Sequence, residues 1–381
     1  MSKLKLQVPV GTGDYPPEAC AEKRMVEGII REEFLLAGYD EIETPSFEYY
    51  DVFMHDSVPY VQENMIKFFD SRGRILALRP DMTGPIARMT ATKLDAGYTA
   101  RLCYVGNVYG HKSGSQRAEA TQAGIELIGK KSAEADAEVI SLAVQSLLSA
   151  GLERFKMDIG QVAYFKGIMA GTGLDDEQQE HIRMLIDSKN SVELEYELSR
   201  MRLGADVRQS LLELPGLFGG ADVLERAGAM AANDLCKAAV DNVRDVYHIL
   251  CDYGFEEYIS IDFGLLNNFN YYSGIIFRGI ADGIGVPLLS GGRYDNLLSE
   301  FGKALLATGF AIGINEMLAV LKKKRGQLVD MQPVKVIKCM PQNRKQAIEK
   351  AREMKKRGER VILDFNGAEY PWPRYEVIKV D

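Results

Sequence analysis

Gln122 and Glu126 stand four residues apart in the segment TQAGIE, whose apolar neighbours predict a β-strand. Side chains at positions i and i+4 of a strand project from the same face of the sheet. A carboxamide and a carboxylate on one face can both accept hydrogen bonds from a ligand. Taken alone, the pair is equally consistent with ordinary polar residues on a strand.

Asp81 and Thr83 form a second polar pair, between the predicted strand Ile75–Arg79 and a helix predicted to continue through Leu94. An acid and a hydroxyl at this place could bind a polar ligand. They could equally mark the start of the helix, with Thr83 as its N-cap.

Tyr271 and Tyr272 are adjacent in a segment, 258–277, that predicts a return to the sheet. Neighbouring residues on a strand face opposite ways. We therefore expect one tyrosine in the core, while the other presents its hydroxyl to a ligand.

Paired glycines, Gly291 and Gly292, interrupt the apolar alternation and are followed by Arg293-Tyr294-Asp295. The pattern predicts a Gly-Gly turn after a strand, then a short helix, a second strand at Ala307–Ile312 and a helix from Asn315. Glycines also suit a place where the backbone must approach a ligand or another strand closely.

The rest of the chain predicts alternating helices and strands that position these residues. The predicted elements are a helix at Glu18–Leu36, a short strand at Tyr39–Pro45, a hairpin from Met65–Asp70 and Ile75–Arg79, antiparallel strands at Arg101–Tyr109 and Ala118–Ile128, a helix at Ala133–Gly151, a strand at Phe155–Ile159, a nearly all-helical stretch at Tyr164–Leu250, and tail elements at Val334–Cys339, Arg344–Arg357, Val361–Phe365 and Tyr375–Val380. We predict a core over 1–325 with a helical insertion at about 160–255, and a small C-terminal α/β segment over 331–381.

Composition restricts the class of protein. The 381 residues are 46% hydrophobic and carry a formal charge of −8, so the chain as a whole lacks the basic character of a nucleic-acid binder. Five scattered cysteines and four histidines have no ligand-like spacing, which predicts reduced thiols and no metal site. No apolar run approaches a membrane span, and we expect a cytoplasmic location.

Several motifs, in order along the chain, resemble the histidyl type of class II aminoacyl-tRNA synthetase. They are GTGDYPPE at the start, EIETPSFE around Pro45, RPDMT at 79–83, TQAGIE at 121–126, NYY at 270–272, and GGRYD with GFAIG at 291–313. The resemblance implies an α+β fold, with a class II antiparallel sheet flanked by helices. It also implies a homodimer through the core, near Pro45.

The same resemblance assigns the polar residues to a histidine pocket. Asp81 and Thr83 would hold the amino group, Gln122 and Glu126 would meet the amino group and the imidazole, and Tyr271 and Tyr272 are the tyrosines that the family keeps.

Three positions depart from the synthetase pattern. Arginines that handle phosphate charge in synthetases are replaced by Gly110, Asn267 and Glu316. Removing one group that stabilises transition-state charge typically costs about 3 to 4 kcal/mol, so we expect no synthetase activity.

The motif RPDMT is more similar to the corresponding motif of a non-catalytic family, the regulatory subunits of ATP phosphoribosyltransferase. That resemblance implies a role in the first step of histidine biosynthesis, a separate short-form catalytic subunit as partner, and L-histidine as feedback effector, without a cofactor. The alternatives are a divergent histidyl-tRNA synthetase, and a tRNA-binding or signalling module with a net charge of about +5 over its tail.

Overall fold

A computed structural model describes residues 3–54, 62–93, 99–110, 117–266, 271–365 and 375–380. The chain divides into two compact units, Met1–Gly326 and Gln327–Asp381. No helix among the described residues is both long and apolar enough to cross a membrane.

Most strands of the first unit match the sequence predictions, but the strand predicted at Tyr39–Pro45 is only Asp40–Glu41, and two short strands, Phe47–Tyr49 and Phe218–Gly219, were not predicted. In chain order the strands are β1 Asp40–Glu41, β2 Phe47–Tyr49, β3 Lys67–Phe69, β4 Ile75–Leu78, β5 Ala100–Tyr109, β6 Glu119–Ile128, β7 Phe155–Gln161, β8 Phe218–Gly219, β9 Ile259–Asp262, β10 Ile275–Ala281, β11 Leu289–Arg293 and β12 Ala307–Gly313.

The helices of this unit include those of the predicted helical insertion. They are α1 Pro17–Leu36, α2 Thr83–Lys93, α3 Ala133–Ser149, α4 Val162–Met169, α5 Asp176–Asp187, α6 Ser191–Arg200, α7 Ala205–Glu213, α8 Asp222–Ala229, α9 Asp234–Asp252, α10 Leu297–Glu300 and α11 Ile314–Arg325. Short 3-10 turns lie at Lys3–Leu6, Tyr50–Phe53, Gln62–Asn64, Leu214–Gly216 and Glu256–Tyr258.

One large sheet organises the first unit. Its strand order among the described residues is β1-β5-β6-β12-β11-β10-β7-β9-β8. The six strands from β5 to β7 pair antiparallel, as expected for the class II-like fold, while β1 and β9 join through parallel pairs. The predicted hairpin is confirmed in a separate three-stranded sheet, β2-β4-β3.

The two faces of the large sheet differ in chemistry. Ile125 and Phe310 are buried on one face, and Phe310 meets Phe34 of α1 edge-on at 5.8 Å between ring centroids. The register places Glu126 beside Gly309, and Gly309 beside Gly292, on the other face. Glycines of β11 and β12 therefore lie on the same face of the sheet as the predicted polar residues.

The predicted Gly-Gly turn is wrong, because Gly291 and Gly292 both lie within β11. The close approach predicted from them is nevertheless present. A Cβ on Gly292 would lie 2.6 Å from the Ile275 carbonyl oxygen and 2.8 Å from the Tyr272 ring.

The second unit has a parallel sheet in the order β14-β13-β15, formed by β13 Val334–Cys339, β14 Val361–Asp364 and β15 Tyr375–Val380. Helix α12, Arg344–Lys356, packs on Ile337 through Ala347, Ala351 and Met354. The tail elements are thus confirmed to within one residue.

Candidate functional site

Glu126 is the buried acid of the candidate site. Its residue is only 2% exposed, and its carboxylate is met by two hydroxyls and by no cation among the described residues. Thr83 donates to Oε1 at 3.0 Å, and the Tyr294 hydroxyl donates to Oε2. Burial raises the pKa of Glu126 to about 8, although both hydroxyl hydrogen bonds lower it.

Gly309 creates the space that this carboxylate occupies. It pairs with Glu126 in the register between β12 and β6. A Cβ at position 309 would overlap Glu126 Oε2 and the carbonyl oxygen of Ile125. The first glycine of GFAIG is therefore required by the side chain on the neighbouring strand.

Tyrosine rings form the wall beside the acid. Tyr271 stacks on Tyr294 at 5.4 Å between ring centroids, and Tyr272 meets Tyr271 edge-on at 4.9 Å. Both Tyr271 and Tyr272 pack against one apolar cluster that includes Tyr294. The prediction that they face opposite ways is wrong, because they precede β10 and the alternation of a strand does not apply to them.

Thr83 does not cap its helix, contrary to one interpretation of the sequence. It is the first residue of α2, and its hydroxyl is directed to Glu126. The capping contact comes from Asp81, whose Oδ1 accepts from the Gly84 N–H at 3.3 Å. Thr83 is thus brought to Glu126, while Asp81 accepts a backbone hydrogen bond at the start of α2.

A cavity of about 550 Å³ lies on the same face of the sheet. Gln122 and Tyr272 line it, and the Oε1 atom of Gln122 is buried without a hydrogen-bond partner among the described residues. A buried amide oxygen of this kind is available to a donor on a ligand. Asp81, Thr83, Glu126 and Tyr271 are not part of the cavity lining.

Charged residues of both signs also line this cavity. The acid is Glu316 and the arginines are Arg117 and Arg278. The uncharged Gly110 also lines the cavity. Arg278 is engaged by Asp158 of β7, with Nε 3.1 Å from Oδ2, and its Nη2 lies 3.7 Å from Asp262 Oδ2.

Comparison with known proteins agrees with the fold described above. The family model for histidyl-tRNA synthetase matches residues 11–317. An ATP phosphoribosyltransferase regulatory subunit from Acetivibrio thermocellus is 42% identical, covering 100% of this chain and 92% of that protein. Another from Ruminiclostridium cellulolyticum is 44% identical, covering 93% and 86%.

The chain belongs to the histidyl-tRNA synthetase-like family of ATP phosphoribosyltransferase regulatory subunits. A crystal structure from Bacillus halodurans C, described as an ATP phosphoribosyltransferase regulatory subunit/histidyl-tRNA synthetase, superposes with a TM-score of 0.89 at 33% identity and covers 98% of both chains. Histidyl-tRNA synthetase from Nostoc sp. PCC 7120 shares the fold, with a TM-score of 0.79 at 19% identity over 95% of this chain and 86% of that one.

Within this regulatory-subunit fold, the structure brings some of the predicted residues together and separates others. Thr83 donates to the buried carboxylate of Glu126, Tyr271 stacks on the second donor, Tyr294, and Gln122 and Tyr272 line the adjacent cavity. Of the three replaced arginine positions, Gly110 and Glu316 line the cavity, and Asn267 lies outside the described residues.

Tyr294 is the residue that the sequence analysis missed as a contributor to the site. It stands in GGRYD beside Arg293, whose guanidinium is turned to the opposite face and pairs with Asp136 at 2.8 Å. The available signal was strand alternation: Arg293 ends β11, and its neighbour Tyr294 reaches the other side of the sheet.

Proposed function

We propose that this chain is the non-catalytic regulatory subunit of ATP phosphoribosyltransferase, and that Glu126 anchors a pocket through which L-histidine exerts feedback inhibition. Family membership supports the regulatory role in histidine biosynthesis. The observation that carries the pocket is a buried carboxylate held by hydroxyls and bordered by tyrosine rings.

Histidine offers groups that match this environment. Its ammonium and imidazole can donate charge-assisted hydrogen bonds to Glu126, and the buried Gln122 oxygen can accept another. The rings of Tyr271 and Tyr272 can stack against the imidazole or lie over a cation. In this proposal Asp81 and Thr83 complete the site around the amino group.

The proposal includes an inability to activate histidine with ATP. Gly110 has a φ of +143°, and a Cβ there would lie 2.9 Å from the Asn64 carbonyl oxygen, so this backbone does not accommodate an arginine. Glu316 adds a negative charge to the cavity, and of the two arginines among its described lining residues, Arg117 and Arg278, the second is engaged by Asp158 and Asp262. These features disfavour a triphosphate in the cavity.

The partner of this chain is a catalytic ATP phosphoribosyltransferase subunit, as the family name implies. We propose that it is the short form, and that the regulatory chain forms a homodimer through its core. Coupling between two sites is reciprocal and typically about 1 to 3 kcal/mol, so catalytic-subunit binding and histidine binding are expected to alter each other's affinity. The cytoplasmic location stays a prediction.

Reconstitution with the short catalytic subunit tests this function. Phosphoribosyl transfer should require this chain and should fall when histidine is added. Failure to stimulate the catalytic subunit would refute the regulatory role, whereas stimulation without histidine sensitivity would refute the pocket. Histidine-dependent ATP–pyrophosphate exchange by the chain alone would instead indicate a synthetase.

A further inference from the structure

The C-terminal part of α5, in the helical insertion, holds the backbone that leaves β9. Arg183 Nη1 donates to the carbonyl oxygen of Leu266 at 2.9 Å, and the Leu266 N–H donates to Asp187 Oδ1 at 3.2 Å. The N–H and the carbonyl oxygen of buried Leu266 are therefore both hydrogen-bonded to side chains from one turn of α5. Arg183 is oriented in turn by two hydrogen bonds to Glu180, at 2.9 and 2.8 Å.

Lys189, two residues after α5, makes a third contact with this segment and has a strained backbone conformation. Among the described residues it is the one non-glycine residue with a positive φ, at +54°. Its Nζ lies 3.4 Å from Oδ2 of the fully buried Asp262 and 4.5 Å from the ring centroid of Phe218. Glycine is the default residue after a helix C-cap, so a lysine here points to a role for its side chain.

The segment held in this way forms part of the candidate site. Leu265 belongs to an apolar cluster with Val162 and Ile276, and Tyr272 packs against that cluster. Leu265 and Tyr272 both line the cavity. A displacement of 262–266 would therefore move one wall of the cavity and the packing surface of Tyr272.

We propose that Arg183, Asp187 and Lys189 are positioning residues for the histidine site. They act through the backbone of 262–266 and through the apolar cluster containing Leu265, on which Tyr272 packs, and this makes the helical insertion a determinant of histidine affinity. This inference rests on the proposed function, because it assumes that histidine binds beside Tyr272.

Calorimetric titration of the full chain with L-histidine tests the inference. Arg183→Met and Asp187→Ala should each weaken histidine binding about tenfold, since each removes a hydrogen bond to or from a charged group. Arg200→Met is the matched control, because Arg200 lies on α6 and its ion pair, at 3.7 Å, is with Glu197 of the same helix. Absence of binding by the wild-type chain refutes the proposed function, whereas equal affinities in wild type and variants overturn only the positioning role.

Two further variants separate positioning from general destabilisation. Lys189→Gly relieves the left-handed backbone but removes the cation beside buried Asp262, so its two effects on stability oppose each other while histidine affinity should fall. Asp187→Ala combined with Tyr272→Leu should bind histidine no more weakly than Tyr272→Leu alone, because both act on the packing of Tyr272. Unchanged affinity in Lys189→Gly, or strictly additive losses in the double variant, would overturn the proposal.

Discussion

Two buried carboxylates on opposite faces of the central sheet are satisfied in opposite ways. Asp136 of α3 is held by the fork of Arg293, with Nη2–Oδ1 at 2.8 Å and Nε–Oδ2 at 3.1 Å. Glu126 receives hydroxyl hydrogen bonds from Thr83 and Tyr294. The first arrangement includes a cation, whereas in the second we propose that the ligand supplies it.

The comparison contrasts an acid that is paired with a cation and an acid that we propose binds one. A carboxylate buried with a fixed guanidinium contributes to holding α3 on the sheet. A carboxyl group buried among hydroxyls has a raised pKa, and an approaching cationic group stabilises its charged form. Such residues are candidates for function in a cleft of known fold.

The largest expected effect comes from breaking the structural pair. Arg293→Met leaves Asp136 buried without its cation, so the free energy of unfolding should fall by about 3 to 5 kcal/mol. Urea denaturation measures this loss. Arg200→Met, at an exposed ion pair, should change it by less than about 1 kcal/mol, and an equal effect of the two changes would remove the structural role of Arg293.

The raised pKa of Glu126 predicts a pH dependence with a definite sign. The carboxyl titrates near 4.5 when unfolded and at about 8 when folded, so between these values the native state holds the extra proton. Stability from this group is therefore present below pH 4.5 and is lost as pH rises through 8.

Glu126→Gln mimics the protonated form and should abolish that loss. Denaturation at several pH values should show wild-type stability falling relative to the glutamine variant by up to about 1.4 kcal/mol per pH unit. Parallel stability curves for the two proteins would show that Glu126 has an ordinary pKa.

Two glycines of β12 provide a matched pair for the packing of the site. A Cβ at Gly309 would overlap backbone and carboxylate, whereas at Gly313 it would meet only the flexible side chain of Glu316. Gly309→Ala should lower unfolding free energy by about 1 to 3 kcal/mol and impair histidine binding. Gly313→Ala should cost less stability, because the Glu316 side chain can move aside, and the reverse order would contradict this account of the register.

The smallest expected effect is that of a single hydroxyl. Tyr271→Phe keeps the ring stacked on Tyr294 and removes one hydrogen-bonding group, so histidine affinity should fall by less than about tenfold. Calorimetry checks this value. Tyr253→Phe, at a residue that is 52% exposed and lies after α9, is the control and should leave affinity unchanged.

Long periodic elements could be predicted from the sequence, and local geometry at the site could not. Helix α1 and the β5–β6 pair match their predicted bounds within one residue because apolar periodicity encodes burial directly. Gly291 and Gly292 were assigned to a turn because glycine usually interrupts a strand. Here the large side chains of neighbouring strands require glycine inside β11.

The residue types of the site were also predictable, but their contacts were not. The signature motifs identified Glu126 and Thr83, yet the hydrogen bond between them joins residues 43 positions apart. Tyr294 was missed as a site residue because its hydrogen bond to Glu126 of β6 depends on how β11, β12 and β6 are ordered and aligned in the sheet. Such information lies in the register of the sheet and not in any single motif.

Histidine inhibition of phosphoribosyl transfer by the complex of this chain with its catalytic subunit, compared between wild type and Glu126→Ala, tests the central claim most directly. We expect the variant to stimulate the catalytic subunit as well as the wild type does, while histidine no longer inhibits. Equal inhibition of the two complexes by histidine would contradict the claim that Glu126 anchors the sensing site.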